Sequence, residues 1–226
     1  MTAIASQILS GTDFFDRARA VLTLDPPAGL ADPESLPLRG DNDADPVVKA
    51  MAAVRPVKPA AVLIAVIERD EPMVLLTQRT AHLKQHAGQI AFPGGKIDAT
   101  DATPLAAALR EADEEVGLAA SAVEPIGYLD VYMTTLGYRI VPVVARVRPG
   151  FTLTLNPGEV EDAFEVPLSF MMEVANHQTH SREWQGMMRS YYAIPFGDRY
   201  IWGVTAGIFR NLQQRVYGVC SGRCCA

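Results

Sequence analysis

Glu111, Glu114 and Glu115 stand three and four residues apart within Arg110-Glu111-Ala112-Asp113-Glu114-Glu115-Val116-Gly117-Leu118. On a helix these spacings bring the three carboxylates to one face, where like charges cost an isolated helix about 0.2–0.5 kcal/mol per pair. Water and salt offset that repulsion on an ordinary solvated face. A hard divalent cation, which takes oxygen ligands, offsets it in a metal site. Two neighbours favour the second reading. Gly94-Gly95 lies upstream, a turn whose backbone carbonyls can reach a metal. Arg110, four residues before Glu114, can fix a carboxylate rotamer by a charge-assisted hydrogen bond. Three carboxylates with a carbonyl suit Mg²⁺ or Mn²⁺, which bridge phosphate oxygens, orient water and acidify it.

The elements that must hold these acids are read from pattern. Thr103 is a candidate N-cap, Pro104 suits the first helical position and Gly117 suits the residue past the end, so a helix runs between them. Leu105, Leu109, Ala112 and Val116 form its apolar stripe, which sets the glutamates on the opposite side, facing a cleft or solvent. The apolar runs 60–67 and 73–78 flank Glu68-Arg69-Asp70-Glu71-Pro72 and predict a hairpin. Ile90-Ala91-Phe92 leads into a sharp loop at Pro93-Gly94-Gly95. Strands are expected at 126–131, 139–147 and 152–155, and a hairpin joins 190–194 to 200–202 around Pro195-Phe196-Gly197-Asp198. A second amphipathic helix covers 204–216, with Ile208, Phe209, Leu212 and Val216 apolar. Phe92, Trp202, Met171-Met172 and Met187-Met188 read as core; His177 and His180 fall in a polar loop. Mixed strands with two long helices indicate an α+β or α/β layered domain.

The chain has 226 residues, 49 % of them hydrophobic, enough for one domain with a sizeable core and additions. Residues 1–46 divide into a weak helical pattern (Ile4, Ile8, Phe14, Phe15, Ala18, Leu22) and a Pro-, Gly- and Asp-rich arm over 25–46. The main domain spans 47–217, and 218–226 is a tail holding all three cysteines, Cys220, Cys224 and Cys225. Those cysteines match neither a CxxC pair nor a disulfide framework, which suits a cytoplasmic chain. Met1 to Ser10 lacks the pattern of a secretory signal, and no run approaches the roughly 18 apolar residues of a membrane span. A net charge of −6 argues against general electrostatic binding of nucleic acid.

Gly95, five residues, Asp101, eight residues and then Arg110 to Leu118 resemble the Nudix box. The usual box has a glutamate at the position of Asp101 and one residue fewer before the arginine. Leu75-Leu76-Thr77-Gln78-Arg79-Thr80, then Lys84, Gly88 and Phe92-Pro93-Gly94-Gly95, resemble the signature of coenzyme A pyrophosphatases. Thr80 stands where that subfamily has Ser or Ala, and Lys84 where it has Arg. The resemblance implies a Nudix fold, an α/β/α sandwich with a central mixed sheet. It implies a metal-dependent hydrolase that cleaves CoA to 3′,5′-ADP and 4′-phosphopantetheine. It also implies Glu111, Glu114, Glu115 and the Gly95 carbonyl as ligands of Mg²⁺ or Mn²⁺, with Arg110 orienting the carboxylates.

The catalytic base is open between a box glutamate, Glu114 or Glu115, and an acid of the loop Asn156-Pro157-Gly158-Glu159-Val160-Glu161, where Glu159 and Glu161 are candidates; a plain solvated turn is the competing reading of that loop. Arg79 and Lys84 are candidates for substrate phosphate, with pairing of Arg79 to a box acid an equal alternative. His82 and His86 are too few for a metal site. The alternatives to CoA are ADP-ribose, NADH or a dinucleotide polyphosphate, and, from a different class, a box-bearing ligand sensor without catalysis. A homodimer through the apolar N-terminal segment is a further expectation.

Overall fold

Residues 60–67 are apolar on both faces because the strand they form is covered on both faces. The structure is a computed structural model that describes residues 11–35, 37, 39–41, 55–82, 87–184 and 186–218. Ile4, Ile8, Lys84, His86 and the three cysteines therefore lie outside the described residues. In chain order the elements are α1 (Gly11–Val21), β1 (Arg39–Gly40), β2 (Lys58–Ile67), β3 (Met73–Arg79), β4 (Ile90–Ala91), β5 (Gly94–Lys96) and α2 (Pro104–Val116). They continue with β6 (Val123–Tyr128), β7 (Tyr132–Met133), β8 (Tyr138–Val147), β9 (Val160–Pro167) and α3 (Leu168–Met172). Last come β10 (Gln178–Trp184), β11 (Met187–Phe196), β12 (Arg199–Trp202) and α4 (Val204–Tyr217).

The spine is β2 and β8, paired in parallel from Lys58↔Tyr138 to Ile67↔Val147. The expected hairpin of β2 and β3 exists, but only Val66↔Val74 and Ile67↔Met73 pair. Beyond them the strands part. β5 pairs with β2, while β3 turns to β9 and β4. The sharp loop expected at 93–95 is thus a strand from Gly94 onward. Its glycines permit this: a Cβ on Gly94 would meet the Ala61 carbonyl oxygen at 2.4 Å and Val62 Cα at 2.6 Å.

Side-chain alternation along β2 feeds two cores. Ile64 and Val66, with Val74 and Leu76 of β3, face α4 (Phe209, Leu212) and α1 (Phe14, Phe15, Ala18). Leu63, Ala65 and Ile67, with Leu75, face α2 through Ala107, Ala108, Ala112 and Val116. The result is a mixed sheet between helical layers, an α/β/α sandwich.

Several expectations changed. Residues 152–155 form no strand. Their backbone instead serves the end of α2: Thr154 N–H donates to the Val116 carbonyl at 2.8 Å and Asn156 N–H to that of Glu115 at 2.9 Å. The polar loop expected around His177 and His180 is instead the strand β10 from Gln178 onward, whose wet faces leave no alternation to mark it. The β11–β12 hairpin turns at Gly197-Asp198 as expected, with Phe196↔Arg199 its last pair. Phe92 is core, packed 4.7 Å from the Phe209 ring, as are Met171 and Met172. Met188 and Trp202 are exposed instead, because they lie on this small outer sheet.

The arm is fitted to the domain over its described part. β1 runs parallel to β7, and Thr23 bridges to Tyr128. Arg139, buried within β8, sends its guanidinium to the carbonyls of Gly29 (3.1 Å), Leu30 (3.4 Å), Asp32 and Pro33 (3.2 Å). A buried charge is tolerated only when so satisfied. Arg139→Met should loosen residues 23–35 and lower unfolding stability by about 1–3 kcal/mol. Urea titration reads the stability, and limited proteolysis should cut this segment first; an unchanged digest would mean the arm is held by other contacts.

Candidate functional site

The helix that carries the acids is closed at both ends by local chemistry. Thr103 Oγ1 accepts from Ala106 N–H at 3.1 Å, and Pro104 starts the first turn. Gly117 takes a left-handed conformation, φ 69°, and donates its N–H to the Asp113 carbonyl at 2.8 Å. The buried face of α2 is Pro104, Ala107, Ala108, Ala112, Glu115 and Val116. Leu105 and Leu109 are only half-buried, so the expected stripe is rotated, and Glu115 does not face outward with its neighbours. Small residues let the helix approach the sheet closely. A Cβ on Gly95 would sit 2.4 Å from the Glu111 carboxylate carbon.

Glu115 fills the space this approach creates and is 3 % exposed. Its Oε2 accepts from Gly94 N–H at 3.1 Å, and its Oε1 stands 3.4 Å from Arg79 Nη1. Burial pushes its pKa up to about 7; Gly94 and Arg79 oppose the shift, and the charges of Glu111 and Glu159 add to it. Burial likewise raises Glu111, with the charges of Glu114 and Glu159 contributing against the pull of Arg110.

Arg110 organises the outer part. Its Nε and Nη2 bind both oxygens of Asp101 at 3.1 and 3.0 Å, and Nη2 also donates to the Lys96 carbonyl at 3.1 Å. Its Nη1 reaches Glu111 Oε1 and Glu114 Oε2, each at 3.0 Å. The Asp101 carboxyl, also bound by Asp98 N–H at 2.8 Å, is held below its ordinary range chiefly by Arg110. Asp101 is therefore the anchor of Arg110, a role the sequence pattern left undefined. Its spacing before the arginine was the available signal.

The later loop is tied to the same helix. Asn156 Oδ1 accepts from Gly158 N–H at 3.0 Å, Glu159 N–H donates to the Asn156 carbonyl at 3.0 Å, and Thr80 N–H donates to the Glu159 carbonyl at 3.0 Å. This sets Glu159 where its charge acts on Glu111 and Glu115. Glu161 is exposed on β9, and the charge that raises both carboxylates from this loop is that of Glu159.

The structure thus gathers Glu111, Glu115, Glu159, Gly95 and Arg79, and holds Glu114, 55 % exposed, at the margin on Arg110. Among the described residues no three acid, histidine or cysteine side chains already converge as a finished ligand set. The donors nonetheless fit a hard cation. The buried Glu115 and the half-buried Glu111, both raised by burial and by neighbouring carboxylates, with one arginine 3.4 Å from Glu115, carry negative charge in need of compensation. His177 and His180 are engaged elsewhere: His177 bonds the Met171 carbonyl at 2.7 Å, and His180, on β10, bonds Gln178 at 2.8 Å.

The family model for the NUDIX domain matches residues 57–185, more than half of the chain. The uncharacterized Nudix hydrolase NudL of Escherichia coli (strain K12) is 41 % identical over 157 residues, 70 % of this chain and 82 % of NudL. Among solved structures, a C. elegans Ap4A hydrolase binary complex is 19 % identical with a TM-score of 0.41, over 53 % of this chain and 86 % of its own. The NUDIX domain of Shewanella oneidensis NrtR, complexed with ADP ribose, is 19 % identical with a TM-score of 0.38, over 52 % and 77 %.

The raised pKa of Glu115 has a definite sign in stability. The folded chain holds this proton more tightly than the unfolded chain, so metal-free protein loses stability as pH rises from about 4.5 through about 7. Glu115→Gln keeps an oxygen for Gly94 N–H and removes the buried charge. In metal-free buffer at about pH 8 it should be more stable than the parent by up to roughly 3 kcal/mol, the gain fading toward pH 4. Urea unfolding at several pH values measures this, and a pH-independent difference would contradict it.

Proposed function

This chain belongs to the NUDIX family, and within it we propose a divalent-metal-dependent pyrophosphohydrolase whose substrate is CoA or a CoA derivative. The family makes it a hydrolase of small nucleoside diphosphate derivatives. The observation that carries the site assignment is the buried Glu115 and the half-buried Glu111 set together beside Gly94-Gly95, within range of the Glu159 charge.

In this reading Glu111, Glu115 and the Gly95 carbonyl hold Mg²⁺ or Mn²⁺, and Glu114 joins them from its place on Arg110. The bound ion supplies charge neutralisation at the pyrophosphate and acidification of a water. Arg110, fixed by Asp101, keeps the outer carboxylates oriented. Glu159 is the base that takes the proton from the attacking water, because its loop is tied through Asn156 to the helix that carries the ligands. The water oxygen bonds to phosphorus, the anhydride P–O bond breaks, and the two phosphate monoesters leave. The CoA preference rests on the Leu75-to-Gly95 signature. It is supported by Arg79 of that signature standing beside Glu115, where a cation can also meet substrate phosphate. Lys84 is proposed as a second phosphate contact. Residues 47–217 form the catalytic unit in this reading. No described helix is long and apolar enough to cross a membrane, and we place the reaction in the cytoplasm.

Incubation with Mg²⁺ or Mn²⁺ and a panel of CoA, ADP-ribose, NADH and a diadenosine polyphosphate tests the reading. CoA should be the preferred substrate, yielding 3′,5′-ADP. Preference for ADP-ribose would sink the CoA assignment and leave the hydrolase standing; binding with no turnover of any member would favour a sensor. Glu114→Gln should lower kcat by orders of magnitude with an unchanged far-UV circular dichroism spectrum, and a near-normal rate would refute its part in metal binding.

A further inference from the structure

The small sheet ends in an open edge. β10 pairs with β11 in unbroken register from Gln178↔Ala193 to Trp184↔Met187, and no described strand pairs with its other side. Six of its seven residues are exposed; His180 is half-buried. Free edges in monomers are ordinarily blunted by charged side chains, above all lysine, or by proline, a bulge or a short strand. β10 is seven residues long with no proline, lysine or bulge, and its two charges, Arg182 and Glu183, are of opposite sign. Trp184 is 58 % exposed beside this edge, and Met188, across from Glu183, is 65 % exposed.

We propose that β10 is the contact between two copies of this chain, which pair antiparallel about a twofold axis through Ser181 and join their sheets into one of six strands. An axis perpendicular to the sheet keeps each face on its own side, so only residues of the same face can stand opposite one another. That leaves few registers. With Ser181 on the axis all seven residues find partners: Gln178 meets Trp184 of the second copy, Thr179 meets Glu183, and His180 meets Arg182. No like charges oppose, as cross-strand stability requires.

The neighbouring registers are worse. An axis at Arg182 sets that guanidinium against its own copy, and Arg189, its cross-strand partner within each chain, flanks it on both sides. An axis at His180 leaves Glu183 and Trp184 unpaired. The Ser181 register also answers the exposed aromatic face. Arg182 meets a His180 ring that already stacks 6.0 Å from Tyr191, a cation placed by an aromatic pair. Trp184 enters the row that continues through Gln178, Ala193 and Trp202 of the second copy, so exposed indoles gather on one face.

Sedimentation velocity over a concentration series should show a species of about twice the 24.5 kDa chain mass. Trp184→Lys should weaken its dissociation constant about tenfold or more; Trp184 is exposed, and circular dichroism checks that the fold survives. In a chain with Cys220, Cys224 and Cys225 changed to serine, Ser181→Cys should oxidise to a covalent dimer. Opposed residues there lie about 4.5–5.5 Å apart at Cα, within disulfide range. Glu183→Cys in the same background should not link, since its symmetry mate lies four residues along. A monomer at every concentration overturns the proposal. So does a dimer that ignores Trp184→Lys and yields no Ser181→Cys cross-link, which would place its contact on another surface.

Discussion

The closeness of α2 to the backbone of Gly94-Gly95 is the constraint on which the rest of the structure depends. It requires glycine at 95, where a Cβ would meet the Glu111 carboxylate, and it goes with a buried helix face of alanines, Ala107, Ala108 and Ala112, while Leu105 and Leu109 stay half-buried. It also takes Glu115 out of water, giving its carboxylate one backbone N–H and one arginine as neighbours. A charge held this way costs the apo fold stability and is offset only by a cation or a proton. The same contact parts β3 from β2, because β5 must enter to place the glycines under the helix.

Around this contact the polar groups form a single connected frame. Asp101 holds Arg110, Arg110 holds Glu111 and Glu114, and the Glu115 carbonyl accepts from Asn156, whose turn carries Glu159. On the other face of the sheet, Arg199 of β12 bonds Gln78 and Asp162 and stacks 4.3 Å from Phe164. The outer sheet is thereby tied to β3 and β9, the strands that bear Arg79 and follow Glu159.

What the sequence shows and what it hides divide along physical lines. The α2 caps are legible because Thr103, Pro104 and Gly117 act on atoms within four residues of themselves. The glutamate spacing is legible for the same reason. The helix face is not, since leucine is the larger hydrophobe but Ala107, Ala108 and Ala112 are the residues packed on the sheet. Residues 152–155 alternate like a strand and yet spend their N–H groups on helix carbonyls distant in sequence. β10 lacks any apolar period because neither of its faces is buried. Arg139 looks like an interruption in a strand, and its reason, four carbonyls of an arm over a hundred residues away, has no local trace.

That arm carries a consequence for how the chain comes to be made. Residues 29–33 are synthesised before Arg139, which holds them and is added more than a hundred residues later. Until then the carbonyls of this segment have only water and the local turn bonds from Asp32 N–H to Gly29 and from Ser35 N–H to Asp32. β8 must be complete and registered in parallel with β2 before the guanidinium is in place, and parallel pairing over such a separation is slow to form. This part of the arm is therefore synthesised before β8 and fastened only after it, and its docking reports that the central sheet has closed.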